Sequence, residues 1–480
     1  MTYSLSVLFT ASDREKRVKN DNFTTTYITI SPKKDGRTAK TKCINPQNNN
    51  STFLPLKRKL KVPSTHLTSI FPKLRILNSP LRDRRSSSVS CLSHLQSDII
   101  QPTKFSLATL PNEVISQILF FLDFASIQMI SQTCHRIRSV CRDDDLWRKL
   151  FSADFQFSTI HHVSKKRRSE IPYYLALYKN HLALQQRWST GKVTTRFLQG
   201  HEDSVYCSAW IGKNLLVTGS RDQAIKVWDV SSGKCIRTLK DHHTGSILCM
   251  RVDRNTLMTG SSDATCILWS LPELEPKTHL RGHGHSVLDV CLVNNKVVTS
   301  SKDHTLRVWD YTTGNELRQL LGHTASVNAL DSVSHNQVVS ASGDTTLKLW
   351  NVDTGECLRT FEGHKLGLAC VRFDGNYLYS GGLDGKINVW DVDTGGCVNT
   401  LIGHGRMIRS IDCLQGKLVS GSYDRTLKVW DPKTGACILS FQSVHSSWIY
   451  NVLLSNTHIV SSGQGKQIMV LDFVTGLDPL

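Results

Sequence analysis

Residues 302–310 read Lys-Asp-His-Thr-Leu-Arg-Val-Trp-Asp, and the pair Gly282-His283 stands upstream of them. Apolar and polar residues alternate toward Trp309, which is the period of a strand, and the Lys-Asp-His lead-in is turn chemistry. The same markers recur through the second half of the chain. Gly-His pairs stand at Gly200-His201, Gly322-His323, Gly363-His364 and Gly403-His404, with degenerate copies at Asp241-His242 and Val444-His445. Each precedes a Trp-Asp type pair: Trp228-Asp229, Trp269-Ser270, Trp309-Asp310, Trp350-Asn351, Trp390-Asp391, Trp430-Asp431 and finally Leu471-Asp472. Successive tryptophans are 41, 40, 41, 40 and 40 residues apart, and Asp222, Asp263, Asp303, Asp344, Asp384 and Asp424 stand six before them. The last copy has Gly465 at the acidic position.

A fixed period of this size, with about four short strands per repeat, marks a modular β architecture. The repeat resembles the WD-repeat family, which implies a mainly β, seven-bladed propeller of four-stranded sheets around a channel, here spanning residues 194–480. Within such a blade the turn His, a strand Ser or Thr (Thr218 in the first copy), the turn Asp and the Trp share one hydrogen-bond chain that satisfies buried polar groups and holds register. That explains why these His and Asp residues come in six sets where an active site needs one. After Trp448 only three strands remain, and Thr194–Gln199 reads as a stray outer strand. Pairing it with the last blade closes the ring and removes an open edge.

The residues beside these turns form one face of the expected ring. Those before the Asp are Arg221, Ser262, Lys302, Gly343, Leu383, Tyr423 and Gln464; those five after each His are Tyr206, Ile247, Leu288, Asn328, Ala369, Arg409 and Tyr450. Aromatic and arginine residues dominate binding hot spots. The predicted target-binding set is therefore Tyr206, Arg221, Arg406, Arg409, Tyr423, Trp448 and Tyr450, with Lys302 an outlying basic contact. Relatives that read phosphorylated degrons place arginines at these two kinds of position; Arg221 and Arg409 match, whereas Tyr206 and Leu288 depart from that pattern.

Upstream, Leu110-Pro111-Asn112-Glu113 is a helix start. Val114, Ile115, Ile118, Leu119 and Leu122 follow at helical spacing, and Asp123 ends the run. Further helical segments are expected from Ser126 (Ile127, Ile130), around Ile137, Val140 and Cys141, and around Leu146-Trp147 and Leu150-Phe151. The order Leu-Pro-x-Glu-Val, Ile-Leu-x-x-Leu-Asp, Cys-His-x-x-Arg and Asp-x-Leu-Trp-Arg-x-Leu-Phe resembles the F-box, here 105–152. The resemblance implies docking of a Skp-type adaptor, joined to a cullin scaffold, through Leu110, Pro111, Ile115, Leu119 and Leu122. Leu146 and Trp147 fit the module's own core equally well. Residues 153–193 read as a helical linker: Tyr173–Trp188 carries Leu175, Tyr178, Leu182 and Gln185 in step. The lead-in from Trp188 to Gly191 resembles F-box/WD-repeat proteins.

The net charge of +18 is uneven: 19 basic against 6 acidic residues in 1–104, 12 against 7 in 105–192, and 27 of each in 193–480. The first 104 residues, polar and without apolar period, are expected to be disordered and to contact nucleic acid, if at all, through charge alone. Lys165–Arg168 is a short basic run that suits a solvated face or an import signal. Many of the fourteen cysteines recur at equivalent positions of successive repeats (Cys235, Cys357, Cys397 and Cys437; Cys207, Cys249 and Cys370), which predicts reduced core thiols and a cytoplasmic or nuclear protein. No apolar run is long enough for a membrane helix.

No phosphate loop, no Gly-x-Ser-x-Gly and no metal-spaced Cys/His set is present, so neither catalysis nor a cofactor nor a metal is expected. The function expected is that of the substrate receptor of a Skp–cullin–F-box ubiquitin ligase. The alternative is a WD-repeat scaffold in a nuclear RNA or chromatin assembly.

Overall fold

The structure, a computed structural model, describes residues 107–155, 172–442 and 445–477. The expectations for residues 1–104 and for Lys165–Arg168 lie outside these. Two compact units emerge, one of helices up to Lys179 and one from Asn180 onward.

In the helical unit α1 (Asn112–Phe120), α2 (Phe124–Ile130), α3 (His135–Cys141) and α4 (Asp144–Phe155) follow one another through short turns. The second start comes two residues before Ser126. The Asp123 carboxylate accepts the Ser126 backbone N–H at 2.9 Å, so the residue that closes the first run also caps the next helix. Leu146, Trp147, Leu150 and Phe151 are buried, and the Trp147 indole donates to the Cys141 carbonyl at 2.7 Å. Both Leu146 and Trp147 thus belong to the module's own core. Trp147 packs edge-on against Phe124 and Tyr178, the latter from α5 (Tyr173–Thr190). On α5 the buried residues are Leu175, Tyr178, Asn180, Leu184 and Trp188, whereas Gln185 is exposed. The expected single stripe therefore fails: at 100° per residue Leu184 and Trp188 lie on the opposite face from Leu175 and Tyr178, so the two halves of the helix bury different sides.

The second unit is seven four-stranded antiparallel sheets. Blade one runs Val205–Trp210, Leu215–Ser220, Ile225–Asp229 and Lys234–Leu239, and the next five repeat this order. Blade seven takes Ile449–Leu454, His458–Gly463 and Gln467–Asp472 from the C-terminal end and Thr194–Gln199 from the start, with Leu198 opposite Ile468. The ring closes by the pairing the sequence predicts. Apolar clusters fill the gaps between neighbouring blades: Cys207, Val217, Ile247 and Trp269 between blades one and two, and Leu198, Leu216, Trp228 and Val460 between seven and one. Fully burying one such large side chain contributes roughly 2–3 kcal/mol. Trp188 stacks on Phe473 at 3.7 Å, which continues the gap between blades six and seven into the end of α5.

Six blades hold the expected polar chain. In blade one His201 Nδ1 meets Asp222 at 2.8 Å, His201 Nε2 meets Thr218 Oγ1 at 2.8 Å, and Trp228 Nε1 donates to the same hydroxyl at 2.8 Å. Blade two shifts the register: His243, not His242, makes the contacts to Asp263 and Thr259. His242 lies instead edge-on against Trp269. In blade seven His445 keeps, among the described residues, only the bond to Ser461, at 2.7 Å, since Gly465 and Leu471 replace the acid and the indole.

The cysteines separate by strand. Cys207, Cys249 and Cys370 are buried on inner strands, and burial holds their thiols well above the usual range. Cys235, Cys357, Cys397 and Cys437 begin outermost strands and are exposed, which corrects the expectation of core thiols there. Only one side of an edge strand has a neighbouring strand to cover it.

Candidate functional site

Every inner strand begins with a β-bulge against its neighbour. The register jumps between Val205 and Cys207, and likewise at 247/249, 287/289, 327/329, 368/370, 408/410 and 449/451. A bulge leaves one residue unpaired and re-aims its side chain. The seven bulged residues are Tyr206, Leu248, Leu288, Asn328, Ala369, Arg409 and Tyr450, and all line the cavity at the centre of the ring. Ile247, read from sequence as one of this set, is fully buried in the gap between blades, and Leu248 takes its place. The misplaced histidine of blade two is the cause.

Farther in, Arg251 of blade two bonds Asp331 of blade four at 2.5 Å and the Leu330 carbonyl at 3.0 Å, passing Asp289 of blade three at 3.7 Å. Arg372 pairs with Asp412 at 3.6 Å. These carboxylates also accept backbone N–H groups of the next blade, Asp331 from Phe373 and Asp412 from Leu454. This layer of buried charge was invisible in the repeat pattern, since its residues differ from blade to blade.

At the mouth the predicted aromatic residues come together. Tyr423 stacks on Trp448 with centroids 4.7 Å apart and planes 7° from parallel, meets Tyr450 edge-on at 5.9 Å, and Tyr450 meets Tyr206 at 5.1 Å. Burial raises all three phenols, Tyr450 to about 12, so each is a neutral hydrogen-bonding group at physiological pH. The Gln464 N–H donates to the Trp448 carbonyl at 3.0 Å. Gly463 permits this approach, since a Cβ there would lie 2.0 Å from the same oxygen. Trp448 remains 40% exposed and, with Tyr423, Arg406 and Gln464, walls an open cavity of about 490 Å³. Arg425, which sequence reasoning passed over, lies on the same cavity; it follows Asp424 in the turn with φ +67°.

The arginines differ in how engaged they are. Arg409 reaches the Ala369 carbonyl at 3.4 Å, and Arg221 lies 3.8 Å from the Asp203 carboxylate. Lys302 sits on the corresponding turn of blade three, away from the aromatic group.

On the helical unit, Ile115 and Leu119 are fully buried in the module itself and offer nothing to a partner, a correction to the expected contact set. Leu110 and Leu122 are partly buried and Pro111 is exposed. The apolar surface is instead Val114, Ile118 and Phe121, 38%, 38% and 66% exposed, with Met129 at 65%. At 100° per residue these first three form one stripe and Ile115, Leu119 and Leu122 another, so a single broad apolar arc divides into an inward and an outward half.

Comparison with known proteins bears on both units. The F-box-like family matches residues 107–153. The WD domain, G-beta repeat family matches 192–229, 233–270, 274–310, 314–351, 355–391 and 395–431. The chain is 26% identical to the WD repeat-containing protein pop1 of Schizosaccharomyces pombe over 46% of its own length and 41% of that protein's. It is 34% identical to nuclear distribution protein nudF 1 of Talaromyces marneffei over 28% and 31%. The chain thus spans less than half the length of these curated relatives. The crystal structure of the WD40 β-propeller domain of Doa1 superposes with a TM-score of 0.52 at 26% identity, covering 58% of this chain and 95% of that one. With F-box-like helices ahead of a ring of WD repeats, both module types that serve protein interaction and typically carry no catalysis, the chain belongs to the F-box/WD-repeat family.

Proposed function

We propose that this protein is the substrate-recognition subunit of a Skp–cullin–F-box ubiquitin ligase. The observation that carries the reading is the presence, in one chain, of two unlike unpartnered surfaces: the Val114, Ile118, Phe121 and Met129 stripe, and the aromatic and arginine mouth of the propeller. An exposed apolar stripe on so short a module is what a Skp-type adaptor covers. The propeller mouth holds a target protein, and the adaptor links it to a cullin. Ubiquitin transfer then follows from raised effective concentration at the target's lysines, with no catalytic group from this chain. The protein works in cytoplasm or nucleus, where such ligases meet their targets.

The test is co-purification. Phe121→Asp with Ile118→Asp is expected to abolish recovery of the Skp-type adaptor and cullin while proteins bound to the propeller remain. Intact adaptor recovery from a folded double variant would overturn the reading and favour a scaffold in a nuclear RNA or chromatin assembly.

A further inference from the structure

We infer that the target segment recognised by this propeller is an unphosphorylated acidic-aromatic peptide, an aromatic side chain flanked by carboxylates, seated between blades six and seven. This inference rests on the proposed receptor role of the propeller mouth.

The argument turns on which cations are free. A compact phosphate dianion is best held by several donors that converge on one point. Of the arginines beside the turns, Arg409 reaches the Ala369 carbonyl and Arg221 lies 3.8 Å from Asp203. Arg406 and Arg425 are exposed and line the 490 Å³ cavity, and among the described residues their guanidinium groups meet no hydrogen-bond or ion-pair partner. The acid on that cavity, Asp424, has its oxygens taken by His404, Gly405 and Thr426 and forms no ion pair with either arginine among the described residues. The free positive charge therefore lies on two adjoining turns of blade six at the outer cavity.

Trp448 lies on the same cavity, its ring held by the stack on Tyr423 and its backbone by Gln464. A large, pre-ordered and partly exposed indole is a surface on which a planar side chain stacks at low entropic cost. Carboxylates flanking such a side chain pair with Arg406 and Arg425, which line the same cavity. The nearby phenols, neutral at physiological pH, add hydrogen-bond donors and no negative charge to oppose an acidic peptide.

The experiment is a peptide selection on the full-length protein with two libraries, one unmodified and one carrying a fixed phosphoserine. The wild type should enrich an aromatic residue with Asp or Glu within a few positions, equally in both libraries. Trp448→Ala should lower the affinity of selected peptides by about tenfold or more, the loss expected when a hot-spot aromatic is truncated. Arg406→Glu with Arg425→Glu should erase the acidic preference and keep the aromatic one. Thermal melting confirms that each variant is folded. Dependence on phosphoserine together with Arg221 and Arg409 overturns the inference but leaves the receptor role standing, as does enrichment of basic or purely apolar peptides. An empty selection, or one indifferent to every mouth variant, overturns both.

Discussion

The smallest repeated unit is one hydroxyl that serves two rings. Ser340 meets His323 and Trp350 at 2.8 Å each, so removing it leaves two buried groups unpaired. Ser340→Ala should cost about 2–6 kcal/mol in urea denaturation, at roughly 1–3 kcal/mol per orphaned group. Ser461→Ala in blade seven loses one partner and should cost about half as much; equal losses would refute the shared-hydroxyl account. The titratable members of these chains set the acid response. Burial disfavours the charged forms of Asp303 and Asp344, but hydrogen bonds from their threonine and histidine neighbours outweigh it and hold both at about 2. Their stabilisation is present at neutral pH and is lost as pH falls from about 4 toward 2. Burial alone pushes His445 down from 6.5 to about 4, with no carboxylate to oppose it. The unfolded chain takes up that proton first, so stability falls as pH drops from 6.5 to 4, by roughly 3 kcal/mol. Burial holds His283 and His323 below their usual range too, with the same sign. His445→Gln should flatten the slope of stability against pH in this window, measured by denaturation at several pH values; an unchanged slope would assign it to the other histidines.

At the scale of the element, the strand Thr194–Gln199 decides whether the ring is closed. Leu198 is fully buried in the gap between blades seven and one, while its neighbour Phe197 is 48% exposed. Leu198→Asp places an unpaired charge in that gap and should cost more than about 3 kcal/mol, seen as a lowered melting temperature and self-association through the uncovered edge. Phe197→Asp, one residue away, should stay within about 0.5 kcal/mol of wild type. Similar melting for both would mean that the closing strand is dispensable. This pairing was legible in advance because seven repeats supplied only three strands to the last blade. The helix register on α5 was less legible, since its apolar residues nearly surround it and periodicity alone does not say which side is covered.

Over the whole molecule, the two surfaces proposed to bind partners lie in separate compact units. Their effects should therefore be separable: the Phe121→Asp, Ile118→Asp pair should lose adaptor binding by more than tenfold with peptide capture unchanged, and Trp448→Ala should do the reverse. Sites without shared contacts behave additively. A double-mutant cycle by calorimetry that departs clearly from additivity would show that the two binding events are coupled.

Repeat spacing determined the number of blades, the polar chains and the closing strand, because each depends on residues at a fixed offset and strand pairing propagates that offset. Only the tertiary structure decided which half of the α1 apolar arc faces outward, that Leu248 and not Ile247 reaches the channel, that the cysteines of the outer strands are exposed, and that Arg406 and Arg425 are free while Arg409 and Arg221 are engaged. These outcomes hang on contacts between residues tens of positions apart, and on a one-residue bulge that turns a side chain from the gap between blades to the mouth.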